Sequence, residues 1–185
     1  MIITIPNKVL VTKAKKVESL DKKVKDIVAV MKKDLVATKN PKGVGLAAPQ
    51  IGVSLRIFMA KPTSDSTITT FINPEILETS DDLSEIERPE GPRSLKKDQK
   101  LEGCLSIPGV WGHLRRASWV KVKYLNENGE EKIEIYKGFM ATIIQHECDH
   151  LDGILYTQRV LEQKEKLFSI ETNEKGEETL EEIRI

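Results

Sequence analysis

The chain has 185 residues, a length that suits one domain with a substantial core. Lysine plus arginine and aspartate plus glutamate both total 29, so the formal net charge is zero, which excludes bulk electrostatic attraction to nucleic acid or to an anionic membrane. No apolar run reaches the ~18 residues of a membrane span, and the start of the chain lacks a signal-peptide pattern. We therefore expect a single domain over residues 1–185, located in the cytoplasm.

The first forty residues predict an extended arm and then a helix. Residues 2–17 mix β-branched residues with lysines and contain Pro6, a composition that favours extended backbone. After Ser19 or Asp21, either of which is a good helix cap, apolar residues recur at steps of three and four. The stretch 39–43, which contains asparagine, proline and glycine, is expected to end this helix.

A small, apolar turn and two strands are expected next. The turn spans residues 43–52, and its closely spaced glycines allow another chain segment to approach the backbone. Strands are predicted at residues 55–60 and 68–72, the second ended by Asn73 and Pro74.

The composition shifts between residues 79 and 100, where acidic and basic residues are interrupted by prolines and a glycine. This pattern predicts a solvated loop insertion with no chemical role.

Two further strands and a buried helix complete the predicted domain. Residues 119–125 and 132–135 alternate apolar and charged side chains around an Asn-Gly turn, which predicts a β-hairpin. A helix from about Phe139 is apolar on several sides, so it should be buried, and Gly153 is placed to end it. The acidic tail, about residues 162–185, predicts a solvated or frayed end.

The helix carries His146 and His150 in a His-Glu-x-x-His pattern, and these are two of the three histidines in the chain. Residues four apart lie one turn apart on one helix face, so both imidazoles can bind one metal ion. Glu147 is rotated by about 100° from His146, where a carboxylate can act as a base toward water at the metal.

A catalytic metal bound by two histidines needs a third protein ligand, with the fourth position left for water. Cys104, in a short apolar stretch bounded by glycines, is the strongest candidate. Cys148 is weaker because it points about 200° away from His146 around the helix. His113 also remains open, although its surroundings suggest a surface residue.

Three segments together resemble the peptide deformylase family. They are Gly-Val-Gly-Leu-Ala-Ala-Pro-Gln at residues 43–50, Glu-Gly-Cys-Leu-Ser at 102–106, and Gln-His-Glu-Cys-Asp-His-Leu-Asp-Gly at 145–153. The similarity runs from about residue 2 to residue 160 and leaves the acidic tail uncovered. It implies an α+β fold in which antiparallel sheets enclose the histidine helix. It also implies removal of the formyl group from the N-terminal methionine of newly made proteins.

The resemblance implies a role for each matching position. Cys104, His146 and His150 would hold one divalent metal ion, Fe²⁺ most commonly, with Zn²⁺, Ni²⁺ or Co²⁺ able to substitute. Glu147 would be the general base and then the general acid.

The remaining implied roles concern the substrate, a nascent polypeptide that begins with formyl-methionine and is met at or near the ribosome surface. The oxyanion would be stabilised by the Gln50 side chain and the backbone N–H of Leu105. The substrate peptide would pair with the backbone of Val44 and Gly45. Its methionine side chain would enter a pocket lined by Phe139, Thr142 and Ile143.

One position departs from the family pattern, and two other classes of protein remain open. Trp111 stands near the place where many relatives carry an arginine that holds the peptide, and Arg115 or Arg116 is the candidate for a nearby charge. A metalloprotease shares the helix motif but draws its third ligand from farther along the chain. A structural zinc module would need a fourth protein ligand, for which Cys148 or His113 is available.

Overall fold

The computed structural model describes residues 1–39, 42–89, 100–172 and 178–184. Within these ranges, two short 3₁₀ turns accompany three α-helices and eleven β-strands. The helices and strands are α1 (Lys22–Ala37), β1 (Gly45–Ala47), β2 (Ile57–Ala60), β3 (Thr69–Thr79), β4 (Leu83–Glu85), β5 (Leu101–Cys104), β6 (Ile107–His113), β7 (Arg115–Ala117), β8 (Trp119–Leu125), β9 (Glu131–Lys137), α2 (Gly138–Leu151), α3 (Tyr156–Glu162), β10 (Leu167–Thr172) and β11 (Glu178–Glu182).

The strands form three antiparallel sheets around α2, which confirms the predicted α+β class. The largest sheet has the order β1-β2-β3-β8-β9, the second has the order β11-β10-β6-β5, and β4 pairs with β7. One side of α2 packs on the largest sheet, where Ile144 and Leu151 join the core with Phe58 and Phe71. Its other side faces β5, so the helix lies between two sheets. None of the helices within the described ranges has the length and apolar character that a membrane span requires.

The end of α2 depends on a glycine that the sequence correctly singles out. Gly153 has φ +74°, a left-handed conformation that favours glycine. A Cβ at this position would come within 2.8 Å of the Val11 backbone and 2.9 Å of the Thr12 backbone. The close approach places the N-terminal arm directly against the end of α2.

The N-terminal arm joins several elements of the domain through its backbone. Asp21 caps α1, since its side chain accepts a hydrogen bond from the N–H of Val24 at 2.9 Å. The N–H of Ala14 donates to the carbonyl oxygen of Leu151 at 2.8 Å, and that of Ile3 donates to Gln50 at 2.8 Å. The arm therefore contacts both α2 and the turn that precedes β2.

The prediction that Asn73 and Pro74 end a strand is wrong, because β3 continues through both residues to Thr79. The register shifts between Ile72 and Glu75, where the proline lacks an N–H for the ladder. Asn73 adopts φ +50°, and its side chain exchanges two hydrogen bonds of 2.8 Å with the backbone of Val17. These contacts let the strand resume after an irregularity.

The predicted charged loop at 79–100 contains more structure than its composition indicates. Strand β4 pairs with β7, and Ile86 directly after it is buried. Three-residue strands give too short an alternation to be recognised in a charged sequence. Part of the loop prediction, residues 90–99, lies outside the described residues.

The acidic tail is also not a frayed end where the structure describes it. Strand β10 pairs with β11 on one side and with β6 on the other, with Phe168 opposite Trp111. Leu167 is buried in a core cluster with Val160 and Leu114. The tail is held by pairing to a distant strand, which a local charge pattern does not reveal.

Candidate metal centre

A cleft of about 580 Å³, counted to its open mouth, lies between α2, β1 and the β5–β6 segment. Its floor holds Cys104, His146 and Glu147, and its walls include Trp111 and Leu105. All eleven residues predicted for the site come together here: ten line this cleft, and the eleventh, His150, lies against Cys104. The ten that line it are Val44, Gly45, Gln50, Cys104, Leu105, Phe139, Thr142, Ile143, His146 and Glu147.

Three side chains on the floor are spaced to hold one ion. The ligand atoms of Cys104, His146 and His150 all lie within 4.8 Å of one another. The Sγ of Cys104 is 3.1 Å from the Nε2 of His150. Burial opposes ionisation of this thiol, but the charge of His150 and hydrogen bonds from both histidines outweigh it and lower the pKa to about 5. The site therefore presents a thiolate and two imidazoles, a donor set that suits Zn²⁺, Fe²⁺ and related ions.

Glu102 orients the first histidine. Its Oε1 lies 2.6 Å from the Nδ1 of His146. Burial opposes ionisation of Glu102, but the charge of Arg116 and its hydrogen bonds hold the pKa of this carboxyl well below its usual range. Glu102 is thus the acceptor for the Nδ1–H of His146, which leaves Nε2 as the nitrogen that would give up its proton to bind a metal.

Glu102 is itself held by a buried guanidinium. The Nε and Nη2 of Arg116 donate to its two carboxylate oxygens at 2.8 and 2.7 Å. The Nη1 of Arg116 donates to Asp149 at 2.9 Å, and Asp149 also accepts from Arg159 at 3.0 Å. These charge-assisted hydrogen bonds connect β5 and β7 to α2 and α3.

Glu147 stands beside the ligands in a dry environment. It is 3% exposed, and its Oε2 has no hydrogen-bond partner among the described residues. Burial raises the pKa of this carboxyl to about 7, against the opposing charges of His146 and His150. A carboxyl with that pKa can both accept and return a proton near neutral pH.

Gln50 is fixed so that its amide group faces the ligands. Its Oε1 accepts a hydrogen bond from the N–H of Ala47 at 2.8 Å. The opposite end, Nε2, therefore points inward, 3.5 Å from the Sγ of Cys104 and 3.2 Å from the Oγ of Ser106. A donor at this position can stabilise negative charge that develops beside the metal.

The edge strand β1 forms one wall of the cleft. It pairs with β2 on one side, and as the first strand of its sheet it leaves its other edge without a strand partner in the described part of the chain. A Cβ at Gly45 would collide with the Oε1 of Glu147 and lie 3.0 Å from Ile143. Glycine at this position allows the carboxylate to stand directly against the strand.

The other two candidate ligands, and the two arginines considered for a charge near Trp111, make contacts outside the group of Cys104, His146 and His150. Cys148 is buried in the core on the sheet side of α2, where burial raises the pKa of its thiol strongly. His113 packs edge-on against Phe168, with ring centroids 5.7 Å apart. Arg116 is committed to its buried ion pairs, so it does not supply the charge expected near Trp111. Arg115 pairs with Glu165 at 3.8 Å.

The match to the family of the polypeptide deformylases covers residues 1–166. The chain belongs to the polypeptide deformylase family. Its function is accordingly that of a metal-dependent N-terminal deformylase, and its enzyme class is that of a hydrolase.

Individual deformylases agree with this membership. The chain is 39% identical to the peptide deformylase of Dehalococcoides mccartyi over 184 residues, which covers 99% of this chain and 96% of the relative. It is 38% identical to peptide deformylase 1 of Bacillus subtilis over 159 residues, with coverage of 86% and 88%. The crystal structure of the Thermotoga maritima peptide deformylase matches with a TM-score of 0.73 at 34% identity, covering 86% of this chain and 96% of that one. The similarity to the Dehalococcoides deformylase thus extends over the tail, which the three sequence motifs left uncovered.

Some residues of this deformylase site were not found from its sequence. Glu102 stands in a recognised motif, yet nothing in the sequence indicates that Arg116 pairs with it across β5 and β7. Arg88 lies in a segment for which no role was expected, although it lines the cleft. The only local signal is that Arg88 lies two residues after the apolar Ile86, and this signal is weak.

Proposed function

We propose that Cys104, His146 and His150 hold the divalent metal and that Fe²⁺ is the resident ion, with Zn²⁺, Ni²⁺ or Co²⁺ able to replace it. One observation carries this proposal: three ligand atoms of the right chemical types lie within 4.8 Å of one another on the floor of a cleft that also contains a buried carboxyl. The preference for Fe²⁺ rests on the family resemblance, since the donor set accepts all four ions.

When bound, the divalent ion polarises the formyl carbonyl and lowers the pKa of water at the site. Glu147 takes the proton from the attacking water and later delivers it to the amine that leaves. Its pKa of about 7, which results from burial, suits both steps. Each of these steps takes place at the same carboxyl group, so no second acid is required.

Two donors would stabilise the tetrahedral oxyanion. The Nε2 of Gln50 is directed toward the ligands by the bond that its Oε1 makes with Ala47. The backbone N–H of Leu105, next to the ligand Cys104, is the second donor. A donor of this kind typically contributes ~3 kcal/mol to transition-state stabilisation.

The substrate would bind as an added strand along Val44 and Gly45. Its methionine side chain would enter the cleft wall formed by Phe139, Thr142 and Ile143, which all lie along α2 and line the same cleft. Added-strand pairing supplies affinity through the backbone, and the side-chain pocket supplies selectivity.

The partners would be nascent polypeptides that begin with formyl-methionine, met in the cytoplasm at or near the ribosome surface. We also propose that residues 1–185 act as one catalytic domain. The contacts of the N-terminal arm with α2 and of the β10–β11 hairpin with β6 support a single unit.

A metalloprotease and a structural zinc module fit less well. In a protease with this helix motif the third ligand comes from farther along the chain, whereas Cys104 precedes the helix. A structural module would need a fourth protein ligand, and in the part of the chain that the structure describes the group comprises three residues.

Release of formate from a formyl-Met tripeptide by anaerobically purified protein tests the proposal. The same assay with an acetyl-Met tripeptide should give a much lower rate, because the added methyl group would crowd the metal. Equal rates on both substrates, or cleavage of internal peptide bonds, would contradict it. Metal analysis of the same sample identifies the resident ion.

A further inference from the structure

Arg88 is a cation in the cleft that the chemistry above does not use. It follows β4 and lines the same cleft as Glu147 and Leu105. Its Cζ lies 5.4 Å from the centroid of the Trp111 ring, and its Nη2 donates to the carbonyl oxygen of Leu101 at 3.0 Å. The two contacts hold the guanidinium against the wall formed by β5 and β6, because a cation over an aromatic face is attracted by the ring.

The charge of Arg88 is not used in an ion pair with the described residues. The carboxylate of the cleft that would suit it, Glu102, is already engaged by Arg116 through two hydrogen bonds. The Nε of Arg88 is buried and lacks a hydrogen-bond partner among residues 1–39, 42–89, 100–172 and 178–184. Burial lowers the pKa of Arg88 and the nearby Glu102 raises it, and a guanidinium remains charged in either case. The cleft wall therefore offers a positive charge that makes no ion pair with the described residues.

The path of an added strand brings the substrate past this wall. Leu46 and Ala47 are fully buried, whereas Lys42 is exposed and lines the cleft, so a peptide that pairs with Val44 and Gly45 leaves the cleft toward Lys42. Side chains of an extended peptide alternate between opposite faces. With the methionine directed at the α2 wall, the second residue is directed at the opposite wall, which Trp111 and Arg88 form.

We propose that Arg88 binds an acidic side chain at the second residue of the substrate and makes this enzyme selective for formyl-Met-Glu and formyl-Met-Asp chains. The proposal rests on the proposed function, because it assumes that the peptide pairs with β1. Arginine suits the role, since its planar fork matches a carboxylate with two parallel hydrogen bonds. The stacking on Trp111 limits the freedom of the side chain before the substrate arrives.

Three tripeptides that differ in one side chain test the proposal: formyl-Met-Glu-Ala, formyl-Met-Gln-Ala and formyl-Met-Lys-Ala. Wild-type kcat/KM should be about tenfold higher for the Glu peptide than for the Gln peptide, the size of one charge-assisted hydrogen bond in a partly solvated site. The difference should lie in KM, and it should shrink with added salt because the contact is electrostatic. The Lys peptide should be the poorest substrate.

Arg88→Gln should remove the preference, so that kcat/KM for the Glu peptide falls to the value that the same variant has for the Gln peptide. Arg88→Lys should keep about a threefold preference, because it retains the charge and loses the fork. Calorimetric titration with the deformylated product Met-Glu-Ala should show the same loss of affinity in Arg88→Gln without relying on turnover.

Arg115→Gln is the matched control, since it makes the same change at an exposed arginine that pairs with Glu165 outside the cleft. It should retain the full preference. Equal kcat/KM on the three peptides in the wild type, or an equal loss on all three in Arg88→Gln, would overturn the role of Arg88. Failure of the wild type to release formate from any of them would instead contradict the proposed function.

Discussion

The Nδ1 of His146 donates to the Oε1 of Glu102 over 2.6 Å, and the same carboxylate accepts two bonds from Arg116. The nitrogen with which His146 would bind a metal is thus selected by a residue 44 positions earlier in the chain. Such outer contacts fix the tautomer and the ring orientation of a ligand, and their loss typically weakens metal binding.

Glu102 should therefore matter for both stability and metal affinity, and the two effects can be separated. Glu102→Ala leaves Arg116 buried without its main partner, so it should lower the free energy of unfolding by ~3–5 kcal/mol. It should also weaken metal binding by ~10–100-fold, because His146 loses its acceptor. Chemical denaturation and metal titration measure the two effects.

Replacing both partners is the control for this prediction. Glu102→Leu combined with Arg116→Met should regain most of the stability, since no unpaired charge remains, and should keep the weak metal binding. Recovery of metal affinity in the double variant would show that Glu102 does not orient His146.

Glu147, the proposed general base, is expected to be needed for activity while its burial lowers the stability of the protein. Glu147→Gln should retain about one metal per chain and lower kcat by ~10²–10⁴. Loss of the metal in this variant would indicate that Glu147 has a structural role.

The same substitution should make the metal-free protein more stable at alkaline pH. The folded-state pKa of Glu147 is raised to about 7 by burial, so the stability that depends on its proton is present below its unfolded pKa of about 4.5. That stability is lost as the pH rises through 7. At pH 8, Glu147→Gln should thus gain up to roughly 3 kcal/mol over the wild type, and the gain should shrink at pH 5. Thermal unfolding at both pH values checks the sign.

Separate replacement of each cysteine by serine distinguishes a metal ligand from a core residue. Cys104→Ser should lower metal content, because a neutral hydroxyl replaces a thiolate, whereas Cys148→Ser should keep it. With Fe²⁺ bound, activity should decay in air, since both the iron and the thiolate can be oxidised. Replacement with Ni²⁺ or Co²⁺ should slow that decay. Metal loss in Cys148→Ser with retention in Cys104→Ser would reverse the ligand assignment.

Gly45→Ala should reduce kcat without loss of metal. The new Cβ would collide with the Glu147 carboxylate and approach Ile143 at 3.0 Å, and a displacement of about 1 Å at a catalytic group can cost ~10²-fold in rate. Gly43→Ala is the control: its Cβ would lie 3.0 Å from Leu35 Cδ1, the end of a flexible side chain. Similar kcat values for both variants would show that Glu147 tolerates the displacement.

Local periodicity explains why much of this site could be predicted. The spacing of His146 and His150 determines their shared face once a helix forms, and the same 3.6-residue period directs Cys148 to the core. Both outcomes follow from one element, without knowledge of the rest of the fold.

Contacts between distant elements explain what the sequence did not reveal. The pairing of Glu102 with Arg116 depends on how β5 lies beside β7 and α2, whereas the family pattern had suggested that Arg115 or Arg116 supplies a charge near Trp111. The continuation of β3 past Pro74 depends on Asn73 binding Val17, 56 residues earlier. The β10–β11 hairpin depends on the pairing of β10 with β6. No local pattern carries this information.

The sheet order β11-β10-β6-β5 bears on when the metal centre matures during synthesis. Cys104 lies on β5, and the far side of β6 is completed by strands that are translated after all three ligands. A chain still attached to the ribosome can thus expose the ligands before the sheet that supports Cys104 is complete. The last strands to be translated, β10 and β11, thus complete the sheet on which the proposed ligand Cys104 lies.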